Sequence, residues 1–352
     1  MGLSGQLRCH GTGINLQAGG PVCPPRGQKG VAVEDTKAYK TAAFWIVFIL
    51  VFALAPLRMT SNYQIILANQ ILIWGLFAVA FNMLFGVTGM LSFGQALYFG
   101  LGAYAVGLSF KYLGASWFLP AIGMGLVGAV VISILVGLLI IRVSGVFFTV
   151  LTLAFGQLVW QITFRWYNFT GGDDGIQGII PPGILGDRIA YYYFTLCLVL
   201  LSIWFLRRLV HSPMGLTLRC LRQNPDRLRF LGRSVRYNQL GIYMISSCFA
   251  ALAGSLMAGV NNSIHTDMLY WTTSGEVILM SVLGGIGQFF GPFIGAAVII
   301  IIQEVVGAKT EFWPLIIGLT MMVMVLLLPK GLVGEARLLG NRLKSFAGGN
   351  RG

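Results

Sequence analysis

Charge is what this chain has least of. Lys and Arg number 24 and Asp and Glu 11 in 352 residues, so charged side chains make up 10%. That is too few to clothe a soluble surface of this size, where about a quarter of residues are charged. Chemistry-bearing spacings are missing as well. The five cysteines, Cys9, Cys23, Cys197, Cys220 and Cys248, form no CxxC pair and share no ligand spacing with His10, His211 or His265. Neither a zinc site nor a disulfide framework follows from them. No GxxxxGK[ST] loop is present to cradle the phosphates of ATP, and no GxGxxG fingerprint for a dinucleotide. Gly285-Ile-Gly287-Gln-Phe-Phe-Gly291 comes near the latter but belongs to no strand–helix unit. No Ser/His/Asp or Cys/His set converges on a nucleophile; His265-Thr-Asp267 reads as turn chemistry. The chain is expected not to be an enzyme, and to hold no metal or cofactor of its own.

What is present is apolar. Hydrophobic residues make up 56%, with 47 glycines, and the mean hydropathy is +0.79. Several runs reach the ~20 residues needed to cross a bilayer. The expected fold is all-α, a polytopic bundle of about ten membrane helices, some short or broken. The spans read as 41–57, 63–85, 96–110, 118–141, 146–166, 190–206, 240–260, 277–283, 289–306 and 312–328. Residues 1–37, rich in Gly with Pro21, Pro24 and Pro25, are expected to be a disordered tail or an over-extended start. The membrane domain is expected over 38–330, and a basic tail over 331–352.

The net charge of +13 is concentrated. Between Arg207 and Arg236 stand eight arginines and one acid, Asp226. Lys and Arg resist translocation, so this stretch marks the cytoplasmic side rather than a nucleic-acid surface. Arg142 and the tail fall on the same side in a ten-span count. Asp173, Asp174 and Asp187 fall outside, and both termini are expected in the cytoplasm. The eighth piece is short, and must cross for the tail to stay inside. It is expected to be irregular, with protein on all sides. Within 207–238, Pro213 and Pro225 bracket a short helix. Gly215 is expected to end or turn the chain after Pro213, and Asn224 to be extended before Pro225. Arg219 and Arg222, at i and i+3, share a face.

Uncharged polar groups inside spans are candidate pathway residues: Asn69, Gln70, Asn82, Gln95, Gln157, Gln161, Gln288 and Gln303. An amide bonds a neighbouring helix as readily as a solute. Glu276 and Glu304 fall near span ends. Gly287, Gly291 and Gly295 would form one smooth face if helical, with Pro292 bending or starting that helix. Gly94-Gln95 with Gly102-Ala103 echoes Gly287-Gln288 with Gly295-Ala296, without establishing symmetry.

Four segments and the arginine island carry a family resemblance. They are Leu91-Ser-Phe-Gly-Gln-Ala-Leu-Tyr-Phe-Gly-Leu-Gly-Ala-Tyr104, Gly145-Val-Phe-Phe-Thr-Val-Leu-Thr-Leu-Ala-Phe-Gly-Gln157, Thr170-Gly-Gly-Asp-Asp-Gly175 and Leu283-Gly-Gly-Ile-Gly-Gln-Phe-Phe-Gly-Pro292. Their order, with Ser212-Pro-Met-Gly215 through Gly232, resembles the M-type permease subunits of bacterial ATP-binding-cassette importers for branched-chain amino acids. The resemblance spans about residues 38–335. It implies a multi-pass inner-membrane permease that forms half of a translocation pathway. It implies two cytoplasmic ATPase subunits that bind the ATP, a second homologous permease, a periplasmic solute-binding protein and surrounding lipid. It places ATPase coupling at Gly215, Arg219, Arg222, Gln223, Asn224 and Gly232. The two arginines are expected to meet acidic groups on the ATPase, or lipid phosphates. Pathway or hinge roles are expected at Ser92, Gly94, Gln95, Gln157, Gly287, Gln288 and Gly291. The family usually has Gly-Arg where Gly215-Leu216 stands, Ala where Cys220 and Leu228 stand, and an acid where Gln223 stands. Related permeases carry urea, short amides or other amino acids. An ion-coupled secondary transporter is the alternative of another class.

Overall fold

The computed structural model describes residues 52–54, 56, 61–307, 309, 315–316, 318–319, 322 and 331–335. The tail 1–37 and most of the first and tenth expected spans and of the basic tail lie outside the described residues.

The described chain is an all-α membrane bundle. Its helices are α1 (Asn62–Asn82), α2 (Gln95–Leu113), α3 (Phe118–Ile140), α4 (Val146–Arg165), α5 (Arg188–His211), α6 (Pro213–Gln223), α7 (Pro225–Phe230), α8 (Val235–Asn261), α9 (Trp271–Gly284) and α10 (Gly291–Gly307). A π-helical turn, Met83–Val87, continues α1. Strands β1 (Ile176–Gln177) and β2 (Ser263–Ile264) pair antiparallel, Ile176 opposite Ile264 and Gln177 opposite Ser263. Among the described residues five helical segments are long and apolar enough to cross a bilayer alone: 62–87, 115–140, 146–165, 188–211 and 235–261.

α8 is the centre of the bundle. It packs most extensively on α2, then on α3 and α1. Small residues make this possible. A Cβ on Gly102 of α2 would lie 1.9 Å from the Ala251 carbonyl oxygen, and one on Gly254 of α8 would lie 1.7 Å from that of Phe99. Ser255 Oγ donates to the Gly102 carbonyl at 3.0 Å in the same contact. Around it the rings of Phe77 and Phe99 stack, with centroids 4.8 Å apart. Tyr98 OH donates to Tyr243 OH at 3.0 Å.

α4 is covered least; 22% of its apolar window is buried. α3 turns an apolar ridge of Met124, Val127, Val131, Leu135 and Leu138 outward.

The eighth expected span is not irregular. It is α9, a regular helix of 14 residues, about 21 Å long at 1.5 Å per residue. That is short of a bilayer's ~30 Å core. Nor do the described residues cover it on all sides, since Thr272 and Leu279 are exposed. α9 and α10 form a hairpin closed by glycine. Gly291 meets the Gly284 and Gly285 carbonyls, and a Cβ on Gly295 would lie 2.0 Å from the Met280 oxygen. The smooth surface therefore consists of Gly284, Gly291 and Gly295. Gly287 lies in the turn at φ +95°, outside any helix. Pro292 stands in the first turn of α10, where its missing N–H costs no bond.

The two ends differ in charge. Arg142, Ser234 and Arg236 line one cavity of about 350 Å3, so the α3–α4 corner and the arginine island share an end. The β1–β2 clasp packs on α2 at the end of α8, and the turn with Asp173 and Asp174 packs on the end of α4, both at the helix ends opposite that cavity. There Tyr167 OH donates to Asp174 at 2.8 Å. That bond to a carboxylate raises the Tyr167 pKa above the ordinary phenol value.

Candidate functional site: the helix across the arginine-bearing end

The break between α5 and α6 is local chemistry. Ser212 takes an extended conformation (φ −78°, ψ 167°), and its side chain accepts from Gly215 N at 3.4 Å. Pro213 follows as the first helical residue. The chain turns at Ser212. Gly215 does not end or turn it but lies inside α6, buried, where a Cβ would stand 2.1 Å from the Val210 carbonyl oxygen. Its role is close approach at the α5–α6 corner.

α6 has one apolar face. Gly215, Leu218 and Leu221 are buried, and Leu221 packs with Leu228 and Val235. The opposite side leaves Leu216 64% exposed. Asn224 is extended (φ −159°, ψ 103°) before Pro225, as the proline requires. Its Oδ1 accepts from Asp226 N at 3.0 Å, which starts α7. Arg229 pairs with Asp226 at 2.9 Å, a largely exposed pair that contributes little to stability. Gly232 supplies a left-handed turn (φ +71°) with open space about it.

The two arginines do not simply point outward, as their spacing suggested. Arg219 Nη2 donates to the Val210 carbonyl at 3.1 Å. Arg222 Nη1 donates to the Gly86 carbonyl in the π-helical turn after α1. Both satisfy carbonyls at helix ends, which a guanidinium does well. Both residues remain exposed, and with Gln223, Asn82, Gly287 and Phe289 they line a cavity of about 430 Å3.

Arg222 sits where three backbone breaks meet. A Cβ on Gly89 (φ +79°) would lie 3.3 Å from Arg222 Cγ, and one on Gly287 would lie 3.9 Å from Nη1. Asn82 Nδ2 donates to the Gln288 carbonyl at 3.1 Å, tying the π turn to the α9–α10 hairpin. From Gly89 the chain runs unwound to Gly94. This link is held to α4: Thr149 Oγ1 donates to the Leu91 carbonyl at 2.9 Å, and Phe93 N donates to Thr152 Oγ1 at 3.2 Å. A Cβ on Gly94 would lie 2.6 Å from the Thr152 carbonyl oxygen. Ser92 and Gln95 are fully buried. Ser92 Oγ accepts from Gly94 N at 3.2 Å. Gln95 Oε1 accepts from Ser246 Oγ at 3.5 Å, while its Nε2 has no partner among the described residues.

The candidates thus fall into groups. Ser92, Gly94 and Gln95 form one broken link, and Gly287, Gln288 and Gly291 form one hairpin turn. Asn82 and Arg222 join the two through the π turn. Gln157 is separate, on α4, its Nε2 unpartnered among the described residues. Gly86 begins a glycine-broken link in the sequence but was not among the candidate site residues. Among the described residues no group of three or more His, Cys, Asp or Glu is placed to hold a metal ion.

Residues 63–326 match the family described as branched-chain amino acid transport system, permease component. The chain belongs to that family and is a multi-pass membrane permease component. It is similar to the high-affinity branched-chain amino acid transport system permease protein LivM of Escherichia coli K12, at 27% identity over 83% of this chain and 75% of the relative. A probable branched-chain amino acid transport permease protein LivM of Methanocaldococcus jannaschii is 26% identical, over 67% of this chain and 80% of the relative. The permease protein LivH of Salmonella typhimurium is 22% identical, over 74% and 91%. No solved structure matches the chain.

Proposed function

We propose that this chain is one of two membrane permeases in an ATP-binding-cassette importer for branched-chain amino acids. A periplasmic binding protein delivers the solute to the end bearing Asp173 and Asp174. Two ATPase subunits bind and hydrolyse ATP at the arginine-bearing end, and the chain itself carries out no chemistry. The inner membrane of a bacterium is the setting this division of labour requires.

The observation that carries the reading is the mounting of α6. This short helix lies across one end with an apolar face inward and Leu216 outward. Arg222 pins it to the joint at which α1, α2 and the α9–α10 hairpin meet. A helix mounted this way delivers displacement to the bundle as a lever. ATP binding on the partners would shift α6, and the joint would pass that shift to the link 88–94 and, through Thr149 and Thr152, to α4. Alternation between outward and inward access needs an element of this kind, with two arrangements that the nucleotide biases. Gly215, Gln223, Asn224 and Gly232 shape α6 and its exit, so they serve coupling by holding its position.

The test is cross-linking in the assembled importer. A cysteine at Leu216, with the native five removed, should join an ATPase subunit through a short cross-linker. One at Ile184, at the other end, should join only the binding protein. Equal capture of the ATPase by both sites would refute the docking face.

A further inference from the structure

α9 carries a carboxylic acid with no partner among the described residues. Glu276 is the sixth residue of this helix, in its interior rather than at its end as the sequence suggested. It is partly buried, and among the described residues it makes no hydrogen bond or ion pair. The other acid of the hairpin, Glu304, accepts a hydrogen bond from Tyr63.

Helical geometry sets its direction. Ser274 Oγ accepts from Ala96 N at 2.8 Å, and Ser281 Oγ donates to the Ala78 carbonyl at 3.5 Å. These bonds pin one face of α9 to α2 and α1. At about 100° per residue, Glu276 stands about 200° around the helix from Ser274. It therefore shares the opposite face with Thr272 and Leu279, with Gly275 at the edge of that face. Thr272 and Leu279 are exposed, and a Cβ on Gly275 would meet nothing within 4 Å. Along one flank lies α4, the least covered span, with Trp160 and Tyr270 rings 4.9 Å apart.

Lipid does not fit this face. The lipid-facing ridge of α3 is wholly apolar, whereas the α9 face holds a threonine, a glycine and a carboxylate. A charged group at membrane depth is costly unless it meets water or an opposite charge, and is therefore functional by default. A branched-chain amino acid enters as a zwitterion, so its α-ammonium calls for an anionic partner and its α-carboxylate for a donor, beside a path that suits an apolar side chain.

We propose that Glu276 binds the ammonium group of the amino acid as it passes along the α9 face, between this chain and its companion permease. The inference rests on the importer reading and adds the residue that recognises the solute inside the membrane. The carboxylate gives the ammonium a charge-assisted partner in place of its hydration shell. Leu279 and the apolar flank of α4 border the path beside it.

The complete importer in proteoliposomes, with binding protein outside and ATP inside, provides the test. Leucine uptake and phosphate release are measured together for wild type, Glu276→Gln and Glu276→Asp. In Glu276→Gln, leucine uptake should fall about tenfold or more, the loss of a charge-assisted bond, while the complex still purifies with its ATPases and companion permease. Glu276→Asp should recover part of it. In the wild type, a hydrophobic carbodiimide should modify Glu276. Leucine should protect it, and 4-methylpentanoate, which lacks the ammonium, should not. Wild-type uptake by Glu276→Gln, or equal protection by the two compounds, would overturn the proposal. So would loss of the companion permease from the purified Glu276→Gln complex, which would make Glu276 half of an interface ion pair. If the wild-type importer fails to take up leucine with ATP, the importer reading itself fails instead.

Discussion

One guanidinium ties α6, the proposed coupling helix, to the π turn after α1. Arg222 donates to the Gly86 carbonyl while its Cγ lies against Gly89 and its Nη1 near Gly287. Arg222→Gln removes the charged donor and shortens the reach. The thermodynamic cost should be small, on the order of 1 kcal/mol, because the side chain is largely exposed. The mechanical cost should be large. The variant should insert and co-purify with the ATPases but hydrolyse ATP without matching transport, a loss of coupling measured as solute moved per phosphate released. Arg222→Lys should restore part of that ratio. A variant that keeps the wild-type ratio would reduce Arg222 to a topology marker. Packing is stricter in the centre. Gly254→Val places atoms where the Phe99 carbonyl already stands, and overpacking of this kind costs about 1–3 kcal/mol or more. Its expected effect is lower yield and a lower melting temperature in detergent. Gly232→Ala, with open space around it, should show the milder effect of φ strain alone.

Among elements, the helices were legible and their facing was not. α3 and α4 begin and end within a residue or two of the apolar runs, because Gly114, Gly145 and Trp166 break the backbone where hydrophobicity stops. Pro213 and Pro225 located α6 for the same local reason. Sequence spacing puts Arg219 and Arg222 on one side of a helix but does not say what lies there. Carbonyls of Val210 and Gly86, nine and 136 residues away, turned both side chains back toward the bundle. Gly215 was misread because a glycine after a proline suggests a turn, whereas here it answers to the Val210 oxygen. Glu276 was placed at a span end because α9 starts six residues before its apolar stretch, at Trp271. Which face of α9 is uncovered depends on α1, α2 and α10, none of them its immediate neighbours in a hydropathy plot apart from α10.

For the whole molecule, orientation and energy source are the claims. The acid-bearing loop and the arginine island lie at opposite ends of the bundle, and Arg142 joins the second. Positive charge stays in the cytoplasm. Cysteines at Ile184, 85% exposed, and at Phe230, 90% exposed, should therefore label from opposite sides in a background without the native five. An impermeant thiol reagent should reach only Ile184→Cys in cells with a permeabilised outer membrane. On the importer reading, transport energy enters through α6 from partner ATPases, since the sequence carries no phosphate-binding loop. The most direct test is leucine accumulation in proteoliposomes holding this chain with its companion permease and ATPases, compared with this chain alone. The complete complex should concentrate leucine when ATP is on the Phe230 side, and should continue after a protonophore collapses the proton gradient. Concentrative uptake by this chain alone, driven by an ion gradient and indifferent to ATP, would contradict the account.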